Sequence, residues 1–164
     1  MRQSGGIEGI RDLLVDTNLL LVFVVGAVAR EHLEAFKHTN AYTPADYDLL
    51  TALLGRARRV LVTPHVMTEV SNLAGRLQSN YRRAAFALLA QLATTLEERS
   101  LATVDVVAEP LFLRLGLTDA AISRVAAGEV TVLTDDLDLY LALEHAGARV
   151  LNFNHVRRGS WGQV

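Results

Sequence analysis

Four carboxylates stand at the ends of segments that read as strands, or just inside the helices that follow them. Asp16 follows the apolar run Leu13-Leu14-Val15, and Glu69 comes one short stretch after Val60-Leu61-Val62. Asp119 starts a helix behind Leu115-Gly116-Leu117, and Asp136 follows Val130-Thr131-Val132-Leu133. In a parallel α/β sheet the carboxyl ends of all strands open onto one edge, where ligands bind. Acids far apart in sequence can therefore converge there. A cluster of carboxylates repels itself unless a cation sits inside it. The chemistry this pattern points to is a divalent metal working on phosphate esters.

Hard carboxylate oxygens select magnesium or manganese (Mg2+ or Mn2+), and a chain with no cysteine has no thiolate to favour a softer ion. One or two such ions would activate water for in-line attack and stabilise the leaving oxygen, so no histidine or lysine is needed as a general base. Asp16 is expected to offer an unencumbered carboxylate at its strand end. Thr17 and Asn18 add a hydroxyl and an amide suited to orienting a scissile phosphate or a metal-bound water. Asp119, at a helix N-terminus, is expected to be kept ionised by the dipole. The Thr134 hydroxyl can bond a neighbouring carboxylate, and Thr134 is expected, with Thr17 and Asn18, to contact substrate.

Asp135, Asp136 and Asp138 crowd one strand–helix junction. One is expected to be a cap, one a ligand, and one an additional or supporting ligand. Asp136 is preferred and Asp138 comes second. Plainer readings stand beside these: Asp119 as a helix cap, Glu69 as a solvated helix residue. Asp16 resists a plain reading, because a charge among Leu and Val residues needs partners.

The elements that must hold these groups alternate. Leu13–Asp16 reads as a short buried strand, and Leu19–Ala29, apolar all round, as a helix that is buried or covered by a partner. Thr43-Pro44-Ala45-Asp46 reads as an N-cap, a proline at the first helical position and an acid two residues on, opening a helix to about Arg58. Val60–Thr63 is a strand, Pro64 starts a helix to about Gln78, and Ser79 or Asn80 caps a long helix over Tyr81–Glu98. Val104–Val107 reads as a strand, and Pro110 opens a brief helix ending near Gly116. Thr118 is expected to cap the helix Asp119–Ala127, with Gly128 as its C-terminal cap. Val130–Leu133 is a strand, Leu137–Ala146 a helix closed by Gly147, and Arg149–Asn152 the last strand. Strands separated by helices imply an α/β fold, a three-layer α/β/α arrangement around a central parallel sheet.

Four segments resemble the motifs of PIN-domain nucleases. Leu14-Val15-Asp16-Thr17-Asn18-Leu19-Leu20 is similar to the opening motif, and Thr63-Pro64-His65-Val66-Met67-Thr68-Glu69-Val70 to the second. Leu115-Gly116-Leu117-Thr118-Asp119-Ala120-Ala121-Ile122 is similar to the third, and Val132-Leu133-Thr134-Asp135-Asp136-Leu137-Asp138-Leu139 to the fourth. The resemblance covers about Leu13 to Asn152, and the four motifs come in the right order, each after the right element. It implies a flavodoxin-like sheet with Asp16, Glu69, Asp119 and Asp136 as the catalytic, metal-binding acids and Mg2+ or Mn2+ as cofactor. It also implies endonuclease cleavage of RNA, with products carrying a 5′-phosphate and a 3′-hydroxyl. Many compact prokaryotic members are VapC-type toxins held inactive by an antitoxin. The stretch between Asn18 and Glu69 is longer than in small toxin members. Its extra material, with Lys37, His38 and Tyr42, could form a substrate-binding lid, a dimer contact or an extension of the core.

Composition fits this frame. The chain has 164 residues, 51% hydrophobic and 21% charged, with mean hydropathy +0.24, which suits one compact domain and excludes disorder. Residues 13–152 are expected as the core, with tails at 1–11 and 156–164. The absence of cysteine excludes disulfides and thiolate catalysis and suits a reducing cytoplasm. Net charge is -2, but acids neutralised by bound ions would leave the remaining surface basic on balance. Arginines gather at Arg56, Arg58 and Arg59, at Arg76, Arg82 and Arg83, and at Arg157 and Arg158, either as phosphate contacts or as solvated faces. Trp161, near the last pair, could stack on a base. Leu19–Ala29 is too short to span a bilayer, so a soluble, cytoplasmic protein without a membrane partner is expected. The apolar helix makes a homodimer an expectation. Two other readings are a PIN-like domain that binds RNA or protein without cutting, and a nuclease of DNA using the same site. A response-regulator receiver needs a lysine near the fifth strand, and the sole lysine is Lys37.

Overall fold

The structure, a computed structural model, describes residues 9–161. Five strands form one all-parallel sheet: β1 (Asp12–Val15), β2 (Arg59–Val62), β3 (Glu97–Glu98), β4 (Thr131–Thr134) and β5 (Arg149–Asn152), in the order β3-β2-β1-β4-β5. Nine helices among the described residues flank the sheet in a three-layer α/β/α fold: α1 (Thr17–Ala29), α2 (Pro44–Arg56), α3 (Pro64–Ala74), α4 (Ser79–Thr95), α5 (Thr103–Val106), α6 (Phe112–Leu115), α7 (Leu117–Ala126), α8 (Leu137–His145) and α9 (Phe153–Trp161). The arrangement is the expected one with a variant strand order. The flavodoxin order reverses between the first and third strands; here the chain steps one way from β1 to β2 and β3, then returns to add β4 and β5 on the other side. The reversal therefore falls between β1 and β4, and the crevice at their carboxyl ends is where such folds bind ligands.

β1 is the central strand, and its Leu13, Leu14 and Val15 are fully buried. A strand covered by helices on both faces reads as a continuous apolar run. Leu14 sits in register with Leu61 on one side and Val132 on the other. The next element, α1, buries Leu19, Leu20, Leu21, Val22, Val24, Val25, Gly26 and Ala29. Its cover comes from within the chain, from α2, α3 and α4. The apolar character that suggested a dimer is thus accounted for by this fold. α2 begins as expected: the Thr43 side chain accepts from the Asp46 N–H at 3.2 Å, and the Asp46 carboxylate accepts from the Thr43 N–H at 2.9 Å.

The stretch from Arg30 to Tyr42, one turn of 3-10 helix followed by turns, extends the core. Leu33 and Tyr42 are buried within it. The Thr39 hydroxyl, also buried, donates to the Leu33 carbonyl at 2.6 Å.

Several elements depart from expectation. Val104–Val107 was expected as a strand because β-branched residues favour one. Thr103–Val106 is instead a short helix whose Val106 packs on Ala120 and Ala121 of α7. The strand's place is taken by Glu97–Glu98, which pairs in register with Leu61 and Val62 and is tied to β2 again by the Arg59–Glu97 ion pair. A two-residue, charged edge strand has no apolar alternation to reveal it. The long helix accordingly ends at Thr95, where Leu96 turns extended. α7 starts two residues early, with Gly116 at φ 87 as its N-cap rather than Thr118, and Gly128 does not adopt the left-handed conformation. Gly147, at φ 76, does close α8 as expected. At the amino end, the Ile10 and Arg11 carbonyls accept from the Arg58 and Arg59 N–H groups, so they prolong the pairing of β1 with β2. The expected C-terminal tail is helical through Trp161. Base stacking by the Trp161 side chain lies outside what is described, and no helix among the described residues is long and apolar enough to cross a membrane.

Gly26 is the closest approach in the helical layer. A Cβ there would lie 2.2 Å from Tyr47 Cδ2 and 2.6 Å from Tyr47 Cγ. Alanine would favour the helix by up to about 1 kcal/mol, but overpacking costs typically 1–3 kcal/mol. Gly26→Ala should therefore lower the denaturation midpoint, and the loss should vanish in a Tyr47→Ala background; a more stable Gly26→Ala protein would contradict this packing.

Candidate active site at the carboxyl edge of the sheet

Asp16 ends the central strand and caps α1. Its Oδ1 accepts from the Leu19 N–H at 3.1 Å, which satisfies an otherwise orphaned helix donor. Its Oδ2 accepts from the Thr134 hydroxyl and, at 3.3 Å, from the Asp135 N–H. The carboxylate expected to be unencumbered is thus held by three donors from α1 and the end of β4. It is only 5% exposed. Burial, and then the negative charge of Asp135, push its pKa up to about 8, against the donors that pull it down.

Glu69, on the exposed side of α3, is more than a solvated residue. Its two oxygens accept from Thr17 Oγ1 at 2.9 Å and Thr118 Oγ1 at 2.7 Å, tying α3 to α1 and α7. Asp119 lies in the first turn of α7, where the dipole was expected to keep it ionised. Burial and the nearby charges of Asp136 and Glu69 outweigh that effect and raise its pKa to about 6. Asp136 caps α8 through Oδ1, which accepts from the Leu139 N–H at 2.9 Å.

These four acids line one cleft of about 310 Å³, together with Thr17, Asn18, Thr118 and an apolar wall that includes Leu73 and Leu115. The cleft lies at the β1/β4 switch point. Asp138, the second choice at its junction, does not line it. It lines a neighbouring groove with Leu111, Arg114 and Leu141. Asp136 and Asp138 are two helical positions apart, and such residues face different sides. Thr134 is not in the cleft either. Expected as a substrate contact, it is fully buried, donating to Asp16 and accepting from the Asp136 N–H at 3.0 Å. It is the link that joins two of the acids.

Asp135 stands at the expected junction with no role of its own assigned there, and Tyr42, part of the stretch read as a lid, a dimer contact or a core extension, belongs to the core. Asp135 Oδ1 accepts from Asn18 Nδ2 at 3.2 Å, and its Oδ2 accepts from the Tyr42 hydroxyl. Its carbonyl accepts from Asn154 Nδ2 at 3.0 Å. Tyr42 is 5% exposed and is therefore a support rather than a base-stacking platform. No local pattern marks such a contact, which joins residues 93 apart.

Among the described residues, no group of three or more acidic or histidine side chains is arranged to hold a metal ion as the side chains stand. The donor chemistry nevertheless suits one. A carboxylate offers about four acceptor sites; Asp16 uses three, Glu69 two and Asp136 one, and none is described for Asp119. The remaining lone pairs are hard oxygens, with no sulfur or imidazole lining the cleft. No protein-family model matches the chain, and no curated protein matches it.

The raised acids give a pH signature. A carboxyl whose folded pKa exceeds its unfolded value of 3.8 contributes stability below that pH and loses it as pH rises through the folded value. In EDTA, thermal stability should fall from about pH 4 to pH 8, with both Asp119 and Asp16 contributing up to about 6 and Asp16 alone above it. Asp16→Asn keeps a good N-cap and should flatten the upper half of that profile. A wild-type profile that is level or rising from pH 6 to 8 would contradict the burial assigned to Asp16.

Proposed function

We propose that this chain is a divalent-metal-dependent endoribonuclease of the PIN type, hydrolysing phosphodiester bonds in RNA. The observation that carries the reading is the meeting of Asp16, Glu69, Asp119 and Asp136, from four separate segments, in one cleft at the sheet's switch point. Each arrives on the element that the PIN-like motifs imply. Asp16, Asp119 and Asp136 would hold magnesium or manganese, which when bound supplies a Lewis acid and an activated water for attack at phosphorus.

The chain's own residues do the rest. Thr134 fixes the Asp16 carboxylate against the corner that carries Asp136. Thr17 and Thr118 fix Glu69 at the mouth of the cleft. The exposed Asn18 amide, beside Asp135, is placed to meet a phosphate oxygen. Arg56, Arg58, Arg82, Arg83 and Arg158 are exposed and in no ion pair among the described residues, so they are available to a polyanion. Arg59 is not, because it is spent on Asp12 and Glu97. A toxin role opposed by an antitoxin follows from the resemblance, a cytoplasmic setting suits a chain with no cysteine, and both belong to the same proposal.

Cleavage of a cellular RNA pool should require Mn2+ or Mg2+, stop in EDTA, and leave 5′-phosphate and 3′-hydroxyl ends. Asp136→Asn should lower the rate by roughly 100-fold or more, the upper range for disturbing a metal site, whereas Asp138→Asn should cut like wild type. Equal activity in EDTA would sink the metal reading. Cutting of DNA but not RNA would move the substrate to the alternative polymer, and binding of RNA without cutting would assign a silent domain.

A further inference from the structure

The segment between α1 and α2 delivers one side chain to the β4–α8 corner beside the cleft. Tyr42 is buried with its ring 6.2 Å from that of Phe153, and the Arg157 guanidinium lies 5.3 Å from its centroid. Its hydroxyl is therefore aimed by packing, and it donates to Asp135 Oδ2. Asp135 sits between two residues that matter to the cleft. Thr134 bonds Asp16, and Asp136 lines the cleft. Its own N–H points at Asp16 Oδ2. Three elements hold this corner: the Tyr42 hydroxyl from the inserted segment, the Asn18 amide from α1, and the Asn154 amide from α9, which bonds the Asp135 carbonyl. The first turn of α9 is itself fixed, since Asn152 Oδ1 accepts from the Asn154 N–H at 2.9 Å.

We propose that Tyr42 and Asp135 form a positioning pair that sets the β4–α8 corner, and with it the spacing of Asp16 and Asp136, for a divalent cation. The inference rests on the metal-site reading above and adds a task for the inserted segment. The physical reason is that Asp16 must be ionised to hold a cation, and its charge then lies beside the Asp135 carboxylate, where like charges separate unless donors hold them. With the Tyr42 hydroxyl removed, Asn18 is the one side-chain donor described for the Asp135 carboxylate. The corner then relaxes away from Asp16, and Asp16 and Asp136 no longer present their free lone pairs to a common point. Neither Tyr42 nor Asp135 lines the cleft, so they touch neither substrate nor ion in this account. They act through Asp16 and Asp136.

The test is Mn2+ affinity, read from the loss of the free-ion electron paramagnetic resonance signal, on the full chain at a temperature well below unfolding. Tyr42→Phe keeps the packed ring and removes one oxygen. It should weaken Mn2+ binding by about tenfold or more, the scale for losing an outer-shell partner, with the protein still fully folded by circular dichroism. Asp135→Ala should weaken it too, and the double variant should be no worse than the weaker single one, because the two act as one unit. Asn154→Ala, which releases the same corner from α9, should give a loss in the same direction and serves if Tyr42→Phe fails to fold. Wild-type affinity in both Tyr42→Phe and Asn154→Ala overturns the positioning pair and leaves the metal site standing. Additive losses in the double variant overturn it as well. A wild-type protein that binds no Mn2+ overturns the metal-site reading, and the positioning pair with it.

Discussion

A carboxylate is buried at the end of the central strand, and much of the surrounding architecture follows from keeping it supplied with donors. Burying an ionised group without partners costs far more than a domain's net stability. Asp16 accepts from the first turn of α1 and from the corner after β4, which ties the switch-point strands together at the edge where they diverge. The Asp16 N–H donates to the Leu133 carbonyl at 3.1 Å, so the main chain enforces the same registration. The price of the arrangement is charge repulsion, since Asp135 stands beside Asp16 while Asp136 and Glu69 stand beside Asp119. Perturbed acids gathered in a cleft are a recognised mark of functional sites.

The apolar scaffold makes such a concentration of charge tolerable. Leu13, Leu14 and Val15 on β1, and the wholly apolar inner helix α1, anchor the site from beneath. α2, α3 and α4 close over α1, and Gly26 admits the Tyr47 ring against it. Loops carry function best when rigid elements present them. Here Asp16 and Asp136 are capping residues at strand ends, Asp119 lies in a first helical turn, and Glu69, mid-helix, is held by two threonine hydroxyls. The inserted segment between α1 and α2 belongs to this scaffold: Leu33, Thr39 and Tyr42 are all inside.

Much of this was legible in the residues because it depends on local or periodic signals. The buried strands, the all-apolar helix and the Thr43–Asp46 capping box each have a short-range cause. The four acids could be placed at one edge because topology alone brings strand ends together. What stayed hidden depends on contacts between distant residues. Glu97–Glu98 is a strand through main-chain pairing with β2, while Val104–Val106 coils into a helix against α7 despite its β-branched residues. The choice between Asp136 and Asp138 was settled by which way each faces from α8, and the part played by Thr134 by its burial. The bond from Tyr42 to Asp135 stayed hidden although Tyr42 itself was singled out, since a hydroxyl that reaches across the fold leaves no trace in spacing.

The central claim is that the cleft between Asp16, Glu69, Asp119 and Asp136 is a divalent cation site. Its most direct test is a crystal structure of the protein grown with Mn2+, with anomalous scattering recorded to place the metal. The account predicts an anomalous peak at about 2.0–2.2 Å, the usual range for small divalent ions, from carboxylate oxygens of Asp16 and at least one of Asp119 and Asp136. A cleft without a peak at saturating Mn2+, or ions found only at other carboxylates, would contradict it.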